Sequence, residues 1–236
     1  MATQSSWNNK INSSKSEITL NAGTNTIGIG TDASANTVNI ATGAAAKAVT
    51  VGSTNGASSL ALKFGTSDFT LASATGTVIS ALDTGQVTMP LRPTFRAYRS
   101  TALSNITGDG TAATIVFNAE NYDIGSNYNT GTGAFVAPVT GVYNFVFALY
   151  LLGFTAATTD LLCVMNATGN ALVVKKFNPR AVAAISSQEI NIAGCCEVKM
   201  IAGNSMSIVL TVSGGTKVVD ILNSSNYSYF SGQLIC

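Results

Sequence analysis

The strictest alternation of apolar and polar residues lies in segment 141–152. Tyr143, Phe145 and Phe147 fall on one side of it at a period of two, and smaller or polar residues fall on the other. This period predicts a β-strand with one heavily buried face. Pro138 precedes the segment and has no N–H to give to a central ladder, so the strand is predicted to begin after it.

Segments of the same kind fill residues 94–236, and Gly-rich turns such as Gly108-Asp109-Gly110 and Gly214-Gly215 separate them. Many short strands at this spacing are typical of a β-sandwich or a β-barrel. The ten predicted strands are 94–99, 114–118, 133–137, 141–152, 160–165, 171–176, 187–200, 205–212, 217–222 and 227–235.

A second period, of eleven residues, runs through residues 21–88. Each unit has two apolar residues separated by one small or polar residue, followed by a turn rich in Gly, Ser, Thr and Asn. The register continues weakly at Leu82 and Thr84. The strong apolar pairs are Ile27 and Ile29, Val38 and Ile40, Val49 and Val51, and Leu60 and Leu62, and a weaker unit begins at Leu71.

An eleven-residue period also occurs in right-handed coiled coils. Here the composition gives poor helix propensity, so an array of short strands is predicted instead. The few small apolar side chains bury too little surface to offset the backbone entropy of the whole array. We therefore expect three chains to intertwine as a trimeric β-helix or β-prism with the four strong pairs as its core. A β-solenoid formed by one chain stays open as the alternative.

These patterns divide the chain into four parts. The expected order is a flexible or docking segment at 1–20, a repetitive β stalk at 21–88, a connector at 89–93 and an all-β head at 94–236. Pro90 and Pro93 make the connector stiff and extended. Trp7 is either a casually exposed aromatic residue or an anchor in a larger assembly. Arg92, Arg96 and Arg99 are interpreted as solvated charges on a neck or an edge strand, with a contact to phosphate or to an acidic glycan as the alternative.

Charge and composition exclude several classes of protein. Only 10% of the residues are charged and the net charge is +1, so the chain has no basic field to hold nucleic acid. No apolar run is long enough for a membrane-spanning helix, and no membrane insertion is expected. The first twenty residues lack the apolar core of a secretion signal, which predicts synthesis in a cytoplasm without Sec-type export.

The chain also lacks the residues of common catalytic sites. It contains no histidine, so Ser-His and Cys-His nucleophiles are excluded and no enzyme is expected. The spacing of Cys163, Cys195, Cys196 and Cys236 matches no zinc motif. The cysteines are interpreted as small apolar filler, with a disulfide within or between chains as the alternative. Adjacent Cys195 and Cys196 are predicted to point to opposite faces of a strand.

One family accounts for the spacing of residues around the long strand. The head resembles the globular head of complement component one, subunit q, which belongs with the tumour-necrosis-factor-like jelly rolls. Three further segments resemble the family's first strand, a late turn and its last strand, with Asn204 in place of the family's usual Asp. The residues that carry the resemblance are Tyr122-Asp123-x-Gly125-x-x-Tyr128-Asn129, Thr132-Gly133-x-Phe135-x-Ala137-Pro138-x-x-Gly141-x-Tyr143-x-Phe145, Pro93-x-Phe95-x-Ala97-Tyr98, Gly203-Asn204 and Phe230-x-Gly232-x-Leu234.

The resemblance implies a trimeric ten-stranded jelly-roll head whose ligands differ from member to member. Some members bind calcium near the trimer axis. Glu120 and Asp123 are the nearest acidic pair here, they suit a loop cap, and no carboxylate cluster supports calcium, so no cofactor is expected. Tyr227, Tyr229 and Phe230 are expected to pack between subunits. The expected residues of the head core and interface are Phe95, Phe117, Phe135, Tyr143, Phe145, Phe147, Tyr229 and Phe230.

Animal members of the family follow a collagen stalk, and this chain has the β repeat in that place. A thin trimeric stalk with a jelly-roll knob resembles a bacteriophage or other viral tail fibre. That interpretation predicts a homotrimer on a virion, attached to other virion or tail proteins through residues 1–20. The head would bind a host surface glycan or protein. Tyr122, Tyr128 and Tyr150 are receptor-binding candidates by residue type, although a core or interface role is favoured for each.

Two alternatives remain for the function. The chain is either a purely structural virion appendage, or a cellular adhesin or secreted binding protein of the same fold that acts outside the cell or at its surface.

Overall fold

The computed structural model describes residues 40, 49, 51, 62–64, 67–180 and 189–236. The chain divides into two compact units between Lys63 and Phe64. Half of the eight predicted stalk-core residues, namely Ile27, Ile29, Val38 and Leu60, lie outside the described residues. Ile40, Val49, Val51 and Leu62 are described, and each is exposed in the single chain. The trimeric stalk stays a prediction.

The second unit is built from β-strands, which confirms the all-β class. The longest strand, β10, covers the whole of the strictly alternating segment. The strands are β1 (Phe69–Ser73), β2 (Gly76–Ala81), β3 (Val87–Thr88), β4 (Thr94–Arg99), β5 (Leu103–Thr107), β6 (Ala112–Thr114), β7 (Ala119–Ile124), β8 (Tyr128–Asn129), β9 (Ala134–Val136), β10 (Gly141–Leu152), β11 (Asp160–Ala167), β12 (Asn170–Phe177), β13 (Ile190–Met200), β14 (Ser205–Ser213), β15 (Val219–Ile221) and β16 (Ser224–Leu234). Within the described ranges, no helix has the length and apolarity to cross a membrane.

Two antiparallel sheets form the head. The seven-stranded sheet has the order β5-β15-β10-β16-β4-β7, with β13 also paired to β10, and the six-stranded sheet has the order β12-β11-β14-β9-β8, with β6 paired to β14. Strand β10 lies between β13 and β16 and pairs with β13 along eleven consecutive residues from Gly141 to Leu151. Strand β15 also pairs with the end of β10, so all three strands paired with β10 come from the last fifty residues of the chain.

The core fills the space between the two sheets and is dominated by aromatic rings. Phe95 of β4 stacks on Phe135 with ring centroids 4.9 Å apart and meets Phe230 edge-on at 5.0 Å. Such offset and edge-to-face pairs add to the stabilisation that burial alone provides. Seven of the eight predicted core or interface residues are fully buried: Phe95, Phe117, Phe135, Tyr143, Phe145, Phe147 and Phe230. This two-layer arrangement confirms the jelly-roll head.

The ten-strand prediction differs from the observed head in four places. Strands β5, β7 and β8 were not expected, and the predicted strand 114–118 is only partly a strand because β6 ends at Thr114. Ile115 and Phe117 are nevertheless fully buried. The apolar alternation at 114–118 therefore marks burial against the core, and not pairing in a ladder.

The end of the predicted stalk forms a small sheet of its own. Strands β1, β2 and β3 make an antiparallel sheet in the order β1-β2-β3 within the second unit. Leu71 lies in the middle of β1, as the repeat predicts. The weak continuation of the repeat is wrong, because Leu82 and Thr84 lie in the turn after β2, where the Gly85 N–H donates to the Leu82 carbonyl.

The three arginines are not the solvated neck charges that the sequence predicts. Arg92 donates to the carbonyls of Leu234 and Ile235 at 2.5 and 2.8 Å and so ties the connector to the end of the chain. Arg99 is buried and donates to the carbonyls of Thr101 and Val116. These contacts satisfy charged groups that burial would otherwise destabilise.

Candidate functional site

The outward side of the seven-stranded sheet is the candidate site, and we call it the outer face. Residues opposite each other on paired antiparallel strands point to the same side of a sheet. The register of β4, β7, β10, β13 and β16 therefore assembles the outer face in rows. Those rows are Thr94, Gln233, Asn144 and Glu197; Tyr122, Arg96, Ser231, Val146 and Cys195; and Tyr98, Tyr229, Ala148 and Ala193.

The centre of the outer face is largely uncharged and only half-exposed. Val146 and Ser231 face each other there and border a shallow cleft of about 190 Å³, together with Asn144 and Gln233. Beside it, the Arg96 guanidinium lies 3.8 Å from the centroid of the Tyr229 ring and donates to the Ser225 carbonyl. A cation over a tyrosine ring is held by the ring's quadrupole. The flat, rigid centre suits contact with another protein surface.

An aromatic cluster lies at the end of the outer face opposite the point where the chain enters the head. The rings of Tyr150 and Tyr227 are 5.6 Å apart, and the Tyr150 hydroxyl donates to the Glu189 carboxylate at 2.5 Å. This hydrogen bond is the main cause that raises the pKa of Tyr150 and keeps the hydroxyl protonated. Tyr227 is 56% exposed. We call Tyr150, Tyr227 and Glu189 the distal cluster.

The structure separates the three tyrosines proposed as receptor-binding residues. Tyr150 belongs to the distal cluster, and Tyr122 is exposed on β7 at the edge of the outer face. Tyr128 is only 6% exposed, and its hydroxyl accepts from the Phe117 N–H at 3.1 Å. Burial raises the pKa of Tyr128. Tyr128 is therefore a core residue of the single chain, which is one of the two roles that the sequence favours for it over receptor contact.

Two other expectations are resolved by the direction of the side chains. Phe230 points into the core, so it does not pack between subunits, whereas Tyr227 and Tyr229 point outward on the same strand. The Asp123 carboxylate accepts from the Tyr128 N–H at 2.8 Å, so it caps a loop as the sequence predicts.

Arg96, Val146 and Glu189 were not identified from the sequence as residues of the candidate site. The period of two along β4 and β10 was the pattern that would have indicated the first two.

The cysteines lie in different environments. Cys195 is exposed on the outer face, whereas Cys196 turns to the other side of β13, as the sequence predicts, and its Sγ lies 3.0 Å from the Met165 sulfur. Burial raises the pKa of the Cys163 thiol to about 12 and that of Cys196 to about 11. Both thiols are therefore protonated near neutral pH and act as apolar filler.

The fold and the outer face can be compared with known proteins. Residues 94–235 match the family model of the C1q domain, which is more than half of the chain. The chain belongs to the C1q domain family. Domains of this family are trimeric, non-enzymatic binding modules. The family expected from the sequence is thus confirmed, and the C1q domain coincides with the head from β4 to the end of β16.

Solved structures of C1q-like and related heads are also similar to this chain. The globular domain of the zebrafish complement 1qA protein has 18% identity and a TM-score of 0.42, over 61% of this chain and 98% of that one. Murine APRIL, crystallised at pH 8.5, has 8% identity and a TM-score of 0.42, over 61% of this chain and 99% of that one. No curated protein matches the chain.

Proposed function

We propose that the protein is a homotrimeric, non-enzymatic binding protein in which the outer faces of three C1q domains pack together. The observation that carries the proposal is the group of Val146, Ala148 and Tyr229, which lie in two neighbouring rows at the centre of the outer face. These side chains project from β10 and β16, whose other sides are packed in the core. The surface that they form is therefore rigid. A rigid, weakly charged surface with aromatic and aliphatic side chains is the composition of the centre of a protein interface.

A charge at the centre of the outer face tests the trimer. Val146→Arg places an unpaired cation in the proposed contact, which is costly to bury. We expect light scattering after size-exclusion chromatography to show a trimer for the unchanged protein and a monomer for Val146→Arg. Val173→Arg is the matched control, because Val173 is 61% exposed on β12 of the other sheet. A Val146→Arg protein that remains trimeric contradicts the proposal.

We further propose that the trimer binds an extracellular glycan or protein through the distal cluster. An exposed tyrosine ring beside a hydrogen-bonded carboxylate offers both a flat apolar surface and a polar acceptor. Three copies of a weak site on one particle gain affinity by avidity. The ligand acts outside the cell in this proposal, as for a secreted or surface-attached binding protein.

Binding of the labelled full-length trimer to an array of surface glycans and to whole cells tests this second part. We expect Tyr227→Ala to lower binding strongly while the protein stays trimeric. Tyr122→Ala is the control, because Tyr122 is similarly exposed but lies at the edge of the outer face. Equal binding by Tyr227→Ala and the unchanged protein contradicts a role for the distal cluster.

A viral tail fibre is the second candidate function. It is favoured by the eleven-residue repeat of residues 27–62, which stands where animal members of the family have collagen. In that case residues 1–20 attach the trimer to a virion and the head binds a host surface. Immunogold labelling of virus particles from the host of origin distinguishes the two, because a cellular protein labels cells or medium and never a particle.

A further inference from the structure

An apolar surface lies at the end of the head where the chain enters it. Six large apolar side chains that are partly exposed line a cleft of about 610 Å³ between the small sheet, the connector and the bottom of the jelly roll. We call these residues the basal patch: Val78, Met89, Leu91, Ile124, Val139 and Ile235.

The chemistry of the basal patch favours an apolar occupant. Arg92 is the charged side chain among the residues that line the cleft, and its guanidinium is already engaged by the carbonyls of Leu234 and Ile235. The lining therefore offers few free hydrogen-bonding or charged groups that could bind a charged ligand.

The exposed area of the basal patch is too small for a stable protein interface of its own. Its six side chains leave on the order of 400 Å² in water, about half of the ~800 Å² that each partner buries in a stable interface. A patch of this area is comparable with the largest apolar patch of a typical monomer, and such patches are often functional. It is too small to hold two proteins together by itself, but sufficient to extend a larger contact.

The basal patch is continuous with the outer face. Val142, at the lower end of the outer face, accepts from the Ile235 N–H and donates to the Cys236 carbonyl, both at 2.7 Å. Ile124 of the patch pairs with Thr94, which belongs to a row of the outer face. A subunit that covers the lower rows of the outer face therefore reaches the edge of the patch.

Symmetry places the same element of each copy at the same height. In a closed ring of three chains, every copy has its point of chain entry at the same end, and one surface of each copy meets a different surface of the next. The connector residues Met89 and Leu91 of one copy thus lie at the level of the cleft of its neighbour.

We propose that the basal patch is the lower part of the contact between copies of this chain, with Met89 and Leu91 of one copy packed against the cleft of the next. This inference rests on the homotrimer proposed above. It assigns to the connector and the small sheet, which lie outside the C1q domain, a role in holding the heads together.

Dilution of the full-length trimer tests the inference. The variant carries Met89→Glu and Leu91→Glu, which add charge to two half-exposed residues outside any strand. We expect mass photometry to show dissociation at a protein concentration at least about tenfold higher than for the unchanged protein, because the new carboxylates lose hydration in the contact. Val173→Glu with Ile201→Glu is the matched control, since both residues are more than half exposed and lie outside the patch.

The outcomes separate this inference from the proposed function. If the unchanged protein is trimeric, Val146→Arg is monomeric and the Met89/Leu91 variant dissociates like the unchanged protein, the inference is wrong and the homotrimer stands. If the unchanged protein is a monomer at every concentration, both are wrong. An unchanged trimer that binds the apolar dye anilinonaphthalene sulfonate, while the Met89/Leu91 variant does not, shows an open patch for a small ligand and also contradicts the inference.

Crosslinking gives an answer that does not depend on how the charged variant folds. A photoreactive p-benzoylphenylalanine at position 89 of the full chain should produce covalent dimers and trimers on irradiation. The same group at position 173 should not. Crosslinks at 89 that remain within one chain overturn the inference.

Discussion

Arg99 illustrates how single residues hold the head together. Its guanidinium donates to the carbonyls of Thr101 and Val116 and to the Thr101 hydroxyl, so it connects β4 to the irregular segment before β7. Burial lowers the pKa of Arg99. The side chain remains charged, because the pKa of arginine lies far above neutrality. The hydrogen bond to the Val116 carbonyl thus helps to hold segment 115–118, which follows the end of β6.

Substitution of the single residue Tyr143 tests how much its burial stabilises the core. The residue is fully buried, and its hydroxyl donates to the Val139 carbonyl at 2.8 Å. We expect Tyr143→Ala to lower the free energy of unfolding by about 3–5 kcal/mol, because a large ring is replaced by a cavity. Urea unfolding at a fixed protein concentration measures the change. Val173→Ala, at an exposed position of the other sheet, should change it by less than about 0.5 kcal/mol. Similar losses in both variants would contradict the burial of Tyr143.

Among the elements, the long central strands were predictable and the edge strands were not. The bounds of β10 agree with the alternating segment, because its inner face is buried along its whole length. Strand β7 lies at the edge of its sheet and is mostly exposed, so its sequence carries no apolar alternation. Polar edge strands of this kind protect a sheet from pairing with other chains.

Close packing of β16 on the core depends on Gly232. A Cβ atom there would lie 2.4 Å from Cδ1 of Phe145 and 2.8 Å from Cε1 of Phe95. We expect Gly232→Ala to lower the free energy of unfolding by about 1–3 kcal/mol, because two buried rings must move. Chemical denaturation provides the measurement.

Gly131→Ala is the control for Gly232→Ala. Gly131 is exposed in a loop, and the nearest atom to its added Cβ is the Asn129 side-chain oxygen at 3.2 Å. If both alanine variants unfold at the same denaturant concentration, β16 does not pack as tightly as the distances indicate.

At the scale of the whole molecule, the head carries three surfaces with proposed binding roles. The outer face is proposed for contact between copies, the distal cluster for ligand binding, and the basal patch for extending the contact towards the stalk. All three lie on or beside one sheet, whereas the six-stranded sheet turns β12 and its exposed Val173 to solvent.

A trimer couples folding to association, which predicts that heat stability depends on concentration. Because three chains separate on unfolding, mass action should raise the Tm when the protein is concentrated. Scanning calorimetry of the unchanged protein over a hundredfold range of concentration should show this rise. Val146→Arg should show a Tm that is independent of concentration, and a constant Tm for the unchanged protein would contradict assembly.

The sequence by itself determined the fold class and the inner face of the main strands of the head. These properties depend on local periodicity, since neighbouring side chains of a strand alternate between its two faces whatever the strand pairs with. Tyr143, Phe145 and Phe147 were therefore assigned to the core correctly. The C1q family also followed from the sequence, because its spaced Tyr, Gly, Pro and Phe residues lie within one continuous stretch.

Only the tertiary structure decided which outward residues share a surface. Val146 meets Ser231, and Ser231 meets Arg96, through pairings that join distant parts of the chain. No local pattern encodes such a register, because it results from the packing of two whole sheets. The same reason explains why Arg92 binds the carbonyls of Leu234 and Ile235, and why an apolar cleft formed beneath the head.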